Sequence, residues 1–360
     1  MTKQTYRCLP PEEIRAAVNA WPDRRERDLA RELDISEAQL AAAFCGHRAQ
    51  RIEASMAGIC EGMRAVGEVM VQTRNENAVI EKIGPFERFV NGTRTGLMLG
   101  SQIGTRMFPG HWVHAFAMER PSGQGQRRSL QVFDAHGGAV IKVQLRAASD
   151  AAAFEALVER LLSPDQTPGL DPVPFRPQQL PSFGVRKAKA LGGSWAAANG
   201  LQQDLNILRE LDIERIQAEG AAVEEDKAWQ VDGDSIRVML RLVSGNAIPV
   251  KCFAGNRGCV QIHSGPVSHI KEIGPWINVM DPTFHLHLRL DHIHEIWAVR
   301  QGADAGQITS LDAYGADGSL IIQFFGLRGE GNRERKDWRE LVEHLPRLAS
   351  HAAPLQFAAE

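Results

Sequence analysis

Arg74-Asn-Glu-Asn-Ala-Val-Ile-Glu-Lys-Ile-Gly-Pro-Phe86 returns later in the same chain as Gly255-Asn-Arg-Gly-Cys-Val-Gln-Ile-His-Ser-Gly-Pro-Val267. Asn75/Asn256, Val79/Val260, Gly84/Gly265 and Pro85/Pro266 coincide without a gap at an offset of 181 positions. The same offset relates Ser129-Leu-Gln-Val-Phe-Asp-Ala-His-Gly137 to Ser310-Leu-Asp-Ala-Tyr-Gly-Ala-Asp-Gly318. A period of this length is far beyond the roughly 20–50 residues of a solenoid unit and has the size of a domain. Two related halves are therefore expected, and a ligand between them is the natural arrangement.

The texture around these segments supports that division. Residues 10–62 read as helical, opened by Pro10-Pro-Glu-Glu and carrying a capping-box pattern at Ser36-Glu-Ala-Gln39. From Val66 the pattern changes to short alternating runs. Ser129–Phe133 and Ala139–Leu145, joined by Asp134-Ala-His-Gly-Gly138, read as a hairpin. Residues 150–162 form a helix after the sheet. The second half repeats the order, with helices over about 183–225, strands from Ser235 to Phe325 and a closing helix near Arg335–Leu348. Leu311–Tyr314 and Leu320–Phe325 form the matching hairpin. Runs of helices followed by runs of antiparallel strands indicate an α+β fold of two tandem repeats, each a large antiparallel sheet with flanking helices. The domains expected are 1–165 and 183–350, joined by a Pro-rich linker at 166–182.

Composition narrows the class. The 360 residues are 43% hydrophobic and 24% charged, with a net charge of −3, so nothing marks a general polyanion binder. The N-terminus lacks the apolar stretch of a signal peptide, and no run is long enough for a transmembrane helix. Cys8, Cys45, Cys60, Cys252 and Cys259 are scattered and show no CxxC spacing, which suits reduced thiols of a cytoplasmic protein. Arg24–Phe44 has the spacing of a helix-turn-helix, but its acids balance its bases where a DNA reader needs a basic face, so it reads as a packing helix pair. His285 and His287 lie two apart and so share one face of a strand, as His292 and His294 do. They read as histidines satisfied on a polar sheet face, since no thiolates lie nearby to complete a structural zinc site. No Walker loop, GxGxxG or nucleophile elbow is present.

Several longer runs resemble a known family. Asn75–Gly84, Arg106-Met-Phe-Pro-Gly-His-Trp-Val-His-Ala-Phe-Ala117 and Arg128–Gly137 in the first half are similar to the hemin-degrading factors and hemin-transport proteins of bacterial haem uptake. So are Gly255–Val267, Gly274-Pro-Trp-Ile-Asn-Val-Met-Asp-Pro-Thr-Phe-His-Leu-His-Leu-Arg289 and Asp291–Arg300 in the second. The resemblance implies haem b in a cleft between two similar halves. By motif position it implies Arg106 and Phe108 on the distal side, and Arg300, Gln323 and Arg328 on the porphyrin and its propionates. Phe253 and Phe325 are candidates to pack on the ring. It further implies a haem-uptake permease, a haem oxygenase or a reductase as partners, with no nucleic acid and no membrane insertion.

One position departs from the pattern. The family's iron-ligating histidine stands midway between a tryptophan and an arginine, and in Trp195-Ala-Ala-Ala-Asn-Gly-Leu-Gln-Gln-Asp-Leu-Asn-Ile-Leu-Arg209 that position is Gln202. Proteins hold haem iron through His, Met, Cys or Tyr, and an amide oxygen is a poor substitute. The alternatives are water, Gln202 or a displaced histidine at the iron, with His114, His263 and His287 as candidates. The resulting expectation is haem binding, trafficking or storage. A haem-degrading enzyme, or a paralogue with a changed ligand, are the alternatives.

Overall fold

In a computed structural model, the residues described are 5–22, 24–122, 125–175, 228–301, 308–328 and 333–348. The chain opens with three helices, α1 (Pro11–Ala20), α2 (Glu26–Leu33) and α3 (Glu37–Ala42). Then come β1 (Ala49–Ile52), α4 (Met56–Val66), β2 (Glu68–Arg74), β3 (Ala78–Pro85), β4 (Arg88–Asn91), β5 (Gly96–Leu99) and β6 (Gly104–Met107). The first half closes with β7 (His114–Ser122), β8 (Gly125–Phe133), β9 (Ala139–Leu145) and α5 (Ala151–Arg160). The second half runs β10 (Ala228–Val231), α6 (Ser235–Gly245), β11 (Val250–Gly255), β12 (Cys259–Gly265), β13 (Ile270–Ile273), β14 (Trp276–Asp281) and β15 (Phe284–Arg289). It ends with β16 (Glu295–Gln301), β17 (Ile308–Tyr314), β18 (Leu320–Gly326) and α7 (Lys336–Glu343).

The repeat seen in the sequence is a repeat of elements. The 181-residue offset carries β3 onto β12, β4–β6 onto β13–β15 and β7–β9 onto β16–β18, within a residue or two at each end. Its shared residues do shared work. Asn75 Oδ1 accepts from the backbone N–H of Asn77 and Ala78 at 2.9 and 2.8 Å, and Asn256 Oδ1 accepts from Gly258 and Cys259 at 3.0 and 3.1 Å. Both are Asx turns, which fix the β2–β3 and β11–β12 connections. Gly137 and Gly318 close the later hairpins at φ 78° and 74°, in the left-handed region that glycine enters without a Cβ clash.

The strands form two antiparallel sheets of nine, ordered β1-β7-β8-β9-β2-β3-β15-β14-β13 and β10-β16-β17-β18-β11-β12-β6-β5-β4. Each sheet thus takes six strands from one half and three from the other. The exchange is reciprocal: β15 pairs with β3 and β6 pairs with β12, with His287 opposite Val79 and Arg106 opposite Val260 at equivalent positions.

By compactness the chain divides into two units, and they do not coincide with the sequence halves. One holds the described residues up to 175 together with Cys252–Ser264 and Lys271–Arg289. In it α4 and α5 bury Ile59, Met63, Phe154 and Leu157 against Val69, Val71, Leu130, Val132 and Val143 of the sheet. The opposite face carries Phe116, Met118 and Phe133 under Ile14, Leu29, Ile35, Leu40 and Phe44 of the N-terminal segment. Ser36 makes the capping box expected of it. Every residue from Ala38 to Ala42 is buried, so α3 serves packing and presents no surface for a DNA groove. Glu37 joins this layer to the sheet through Arg74 and through Lys142, whose Nζ is 2.9 Å away.

The other unit holds residues 228–251, Gly265–Ile270 and the described residues from Leu290 onward. Here β10 and β16–β18 are covered by α7, whose Trp338 is fully buried and donates from Nε1 to the Thr309 carbonyl at 2.9 Å. Two elements differ from the sequence expectation. Ser235–Gly245 is a helix where strands were expected, because Ile236, Met239, Leu240 and Val243 recur at the helical period and are all buried. Ala49–Ile52 is a strand inside the run read as helical, held by β7 through backbone pairing that propensity does not report. Four of the five cysteines are buried, in keeping with small apolar roles. Among the described residues no helix is long and apolar enough to cross a membrane.

Candidate functional site

The expected site residues fall in both units, and each unit has its own arrangement. In the first, Arg106 lies on β6, 7% exposed, with its guanidinium 5.0 Å over the ring of Phe108. Phe108 leaves the strand with its N–H donated to the Gly258 carbonyl at 3.0 Å, so the exchanged pairing of β6 with β12 sets where both residues stand. Phe253 is buried on β11.

The three candidate histidines are separate from one another and differently engaged. His114 begins β7, and burial pushes its imidazole pKa down, with the charge of Arg51 acting in the same direction. His287 on β15 has Nδ1 2.6 Å from Asn278 Oδ1, and burial lowers its pKa as well, against the opposing effect of Glu81. His285 beside it bonds Glu81 at 3.0 Å, so the two histidines do share one polar sheet face as their spacing implied. His263 on β12 is 4% exposed and stacks on Phe284 with centroids 3.6 Å apart and planes at 8°. Its Nδ1 is 3.3 Å from Lys82 Nζ. Burial pushes the Lys82 amine down to about 8, and the ammonium lies 5.3 Å over the same Phe284 ring. Among the described residues no group of three or more His, Cys, Asp or Glu is placed to hold a metal ion.

In the second unit the sheet separates the candidates by face. Arg300 pairs with Thr309, whereas Gln323 pairs with Asp312 and Phe325 with Ser310. Successive residues of β17 alternate sides, so Arg300 projects with Thr309 toward α7 and Gln323 and Phe325 project the other way. On the α7 side Arg300 ion-pairs with Glu343 at 2.5 Å and lies 5.2 Å over the Trp229 ring. Arg328 follows β18 and bridges to Glu334 through the backbone. Gln202 lies outside the described residues.

On the face away from α7, Ser310, Asp312, Gln323 and Phe325 are all nearly inaccessible, at 2, 0, 1 and 4%. Gln323 Nε2 donates to Asp312 Oδ2 at 3.0 Å. Ser310 and Asp312 were not singled out in the sequence. No sequence signal marked them: polar residues alternating with Leu311 and Ala313 read as solvent-facing, and only the structure shows every position of the strand buried.

Comparison with known proteins finds likeness over nearly the whole length of the chain. The family model described as the haemin-degrading HemS/ChuX domain matches twice, over residues 34–161 and 212–345. The hemin transport protein HmuS of Yersinia pestis is 34% identical over 326 residues, covering 90% of this chain and 93% of the relative. The hemin transport protein HemS of Yersinia enterocolitica is also 34% identical, over 328 residues with the same coverage. Among solved structures, holo-PhuS, a heme-binding protein from Pseudomonas aeruginosa, superposes with a TM-score of 0.84 at 36% identity, covering 94% of this chain and 100% of that one. ChuS, an Escherichia coli heme oxygenase, gives 0.78 at 30% identity, with 92% and 99% covered. With two domain matches in tandem and relatives alike from end to end, the chain belongs to the HemS/ChuX haemin-degrading family.

Proposed function

We propose that this protein binds haem b in the bacterial cytoplasm and carries or stores it during haem-iron utilisation. The observation that supports this most is the near-full-length likeness to hemin transport proteins and to a heme-binding protein whose haem-loaded form superposes on it. The residues present suit the group. Arg106 offers a buried guanidinium beside the ring of Phe108, which suits the distal role that the resemblance gives this pair. Phe253 and Phe325 offer buried rings, and Ser310 and Gln323 offer buried polar atoms. The resemblance gives Arg300 and Arg328 to the propionates; Arg300, paired with Glu343 on the sheet face opposite Gln323 and Phe325, does not join the set those two residues form. Bound haem supplies the iron, and Gln202, water or one of His114, His263 and His287 is its remaining partner on the protein side.

Carrying is favoured over degradation by Gln202. ChuS is called a heme oxygenase, so cleavage is the second reading. An axial histidine tunes the iron for such chemistry, and here an amide stands in its place. A permease, a haem oxygenase or a reductase are the partners this role implies. The test is a hemin titration followed at the Soret band, then reductant and oxygen added in the presence of catalase. The expected result is one-to-one binding and persistence of the bound haem. Rapid conversion to a biliverdin-like product overturns the carrier reading in favour of the enzyme. No Soret shift, and none gained by Gln202→His, overturns haem binding itself and leaves a paralogue with another ligand.

A further inference from the structure

Three sulfur side chains converge in the core of the first unit. Cys60 on α4, Met107 on β6 and Cys259 on β12 are all fully buried there. Cys60 Sγ lies 3.7 Å from Met107 Sδ. Met107 and Cys259 stand directly opposite each other in the exchanged pairing of β6 with β12, so their side chains share one face of the sheet. Cys60 and Cys259 are near enough for a charge on one to act on the other. From β2, Thr73 Oγ1 donates to Cys259 Sγ at 3.5 Å.

Packing alone does not require sulfur at these positions. The repeat offset carries Met107 and Cys259 onto Leu288 and Ala78. Those two residues face each other in the reciprocal pairing of β15 with β3, and both are fully buried. The equivalent pair in the other repeat is therefore plain hydrocarbon. Only the β6–β12 pair carries two sulfurs, and it is the pair over which α4 places a third.

The donor set selects the ion. Thiolate and thioether sulfur are soft ligands suited to Cu(I), whereas calcium and magnesium take oxygen and structural zinc takes four ligands. A metal–thiolate bond is about 2.3 Å long, which sets the sulfurs of a three-coordinate ion about 4 Å apart. The 3.7 Å between Cys60 and Met107 matches one side of that triangle. Charge points the same way. A monovalent ion that displaces one thiol proton leaves the buried charge at zero, and an apolar core tolerates no unpaired ion. The Thr73 hydroxyl is already aimed at Cys259, where it would support a thiolate.

We propose that Cys60, Met107 and Cys259 form a buried site for one monovalent soft cation of the Cu(I) type. The Cys259 thiolate and the Met107 thioether are its main ligands, and the Cys60 sulfur completes the triangle. On binding, the S–H bond of Cys259 breaks, its proton leaves to solvent and the sulfur–metal bonds form; no atom changes oxidation state. None of the three sulfurs is exposed, so the ion enters when α4 lifts from the sheet. The site is independent of the haem reading.

Cu(I) itself is the probe, offered anaerobically to the full-length chain as its coloured bicinchoninate complex, whose bleaching reports transfer. The wild type is expected to take up one equivalent, at a rate set by opening of α4 and independent of Cu(I) concentration. Cys60→Ala and Cys259→Ala are expected to lose that equivalent. Met107→Leu conserves volume and should keep the thermal midpoint of the metal-free protein while binding about tenfold or more weakly. Cys8→Ser, which removes the exposed thiol, should change nothing. No uptake by the wild type overturns the site. So does a well-folded Met107→Leu protein with unchanged affinity, or uptake that survives in Cys259→Ala. Uptake that is abolished in Cys8→Ser also overturns it, since the metal then sits at the surface.

Discussion

Lys82 and His263 occupy equivalent places in the two repeats, and they touch: Nζ of one lies 3.3 Å from Nδ1 of the other. The imidazole can accept where the amine donates. The remaining neighbours are the Gln102 carbonyl oxygen at 3.4 Å, the face of Phe284, and the more distant Asp281 and Cys252.

This contact predicts an alkaline gain in stability. Burial lowers the Lys82 pKa from its ordinary value of 10.5 to about 8, so the folded protein releases a proton that the unfolded chain keeps between those limits. Stability therefore rises with pH across that window, and the penalty is fully present below pH 8. Relative to Lys82→Met, the wild type should gain on the order of 2–3 kcal/mol between pH 8 and 10.5. Urea unfolding of both proteins across that range measures it, and parallel curves would contradict the assignment.

At the acid end the group to watch is Glu37. Burial by itself would raise its pKa, but Arg74 and then Lys142 outweigh that and hold the carboxyl down to about 2. A carboxyl so depressed stabilises the fold above its ordinary value of 4.5 and loses that contribution as pH falls toward 2. Glu37→Gln should cost about 3 kcal/mol at pH 7, because it takes the carboxylate from the buried Arg74 and leaves Lys142 with Glu26 alone. The cost should shrink steadily below pH 4.5 in chemical denaturation.

Asn256 makes its Asx turn and also donates from Nδ2 to the carbonyls of Arg74 and Val140, each at 2.9 Å. Asn256→Ala should therefore cost about 2–3 kcal/mol in chemical denaturation. A loss below about 0.5 kcal/mol would show that these bonds contribute nothing net.

Gly137 and Gly318 are an unequal pair. Both have positive φ, so alanine at either should cost about 1–2 kcal/mol in backbone strain. A Cβ at Gly318 meets open space, while one at Gly137 would lie 2.3 Å from Ser36 Oγ and disturb the cap of α3. Gly137→Ala should thus be clearly the worse of the two by thermal melting.

Much of this architecture is written locally and could be read from the chain. The hairpin at Asp134–Gly138, the capping box at Ser36 and the duplication itself depend on neighbours in sequence, and all appear in the structure. What depends on distant pairing was not legible. Similarity between β6 and β15 shows that they correspond, but not that each joins the other half's sheet. Ser235–Gly245 was missed through its period, which is helical. Among the candidate residues, motif position singled out Gln323 and Arg300, while the ion pair of Arg300 with Glu343 depends on where α7 packs. Ser310 and Asp312 were hidden because a polar residue in a strand is ordinarily a solvent-facing one.

The exchanged strands also fix the order in which the protein can be completed as it leaves the ribosome. His285 pairs with Glu81 across 204 positions, so the outer edge of β3 waits for a partner until about four-fifths of the chain has been made. During that interval a finished-looking first half carries an open edge, the kind of surface that recruits stray strands. The arm β4–β6 waits in the same way for β12. The edge of β3 is therefore paired only after β15 has been made.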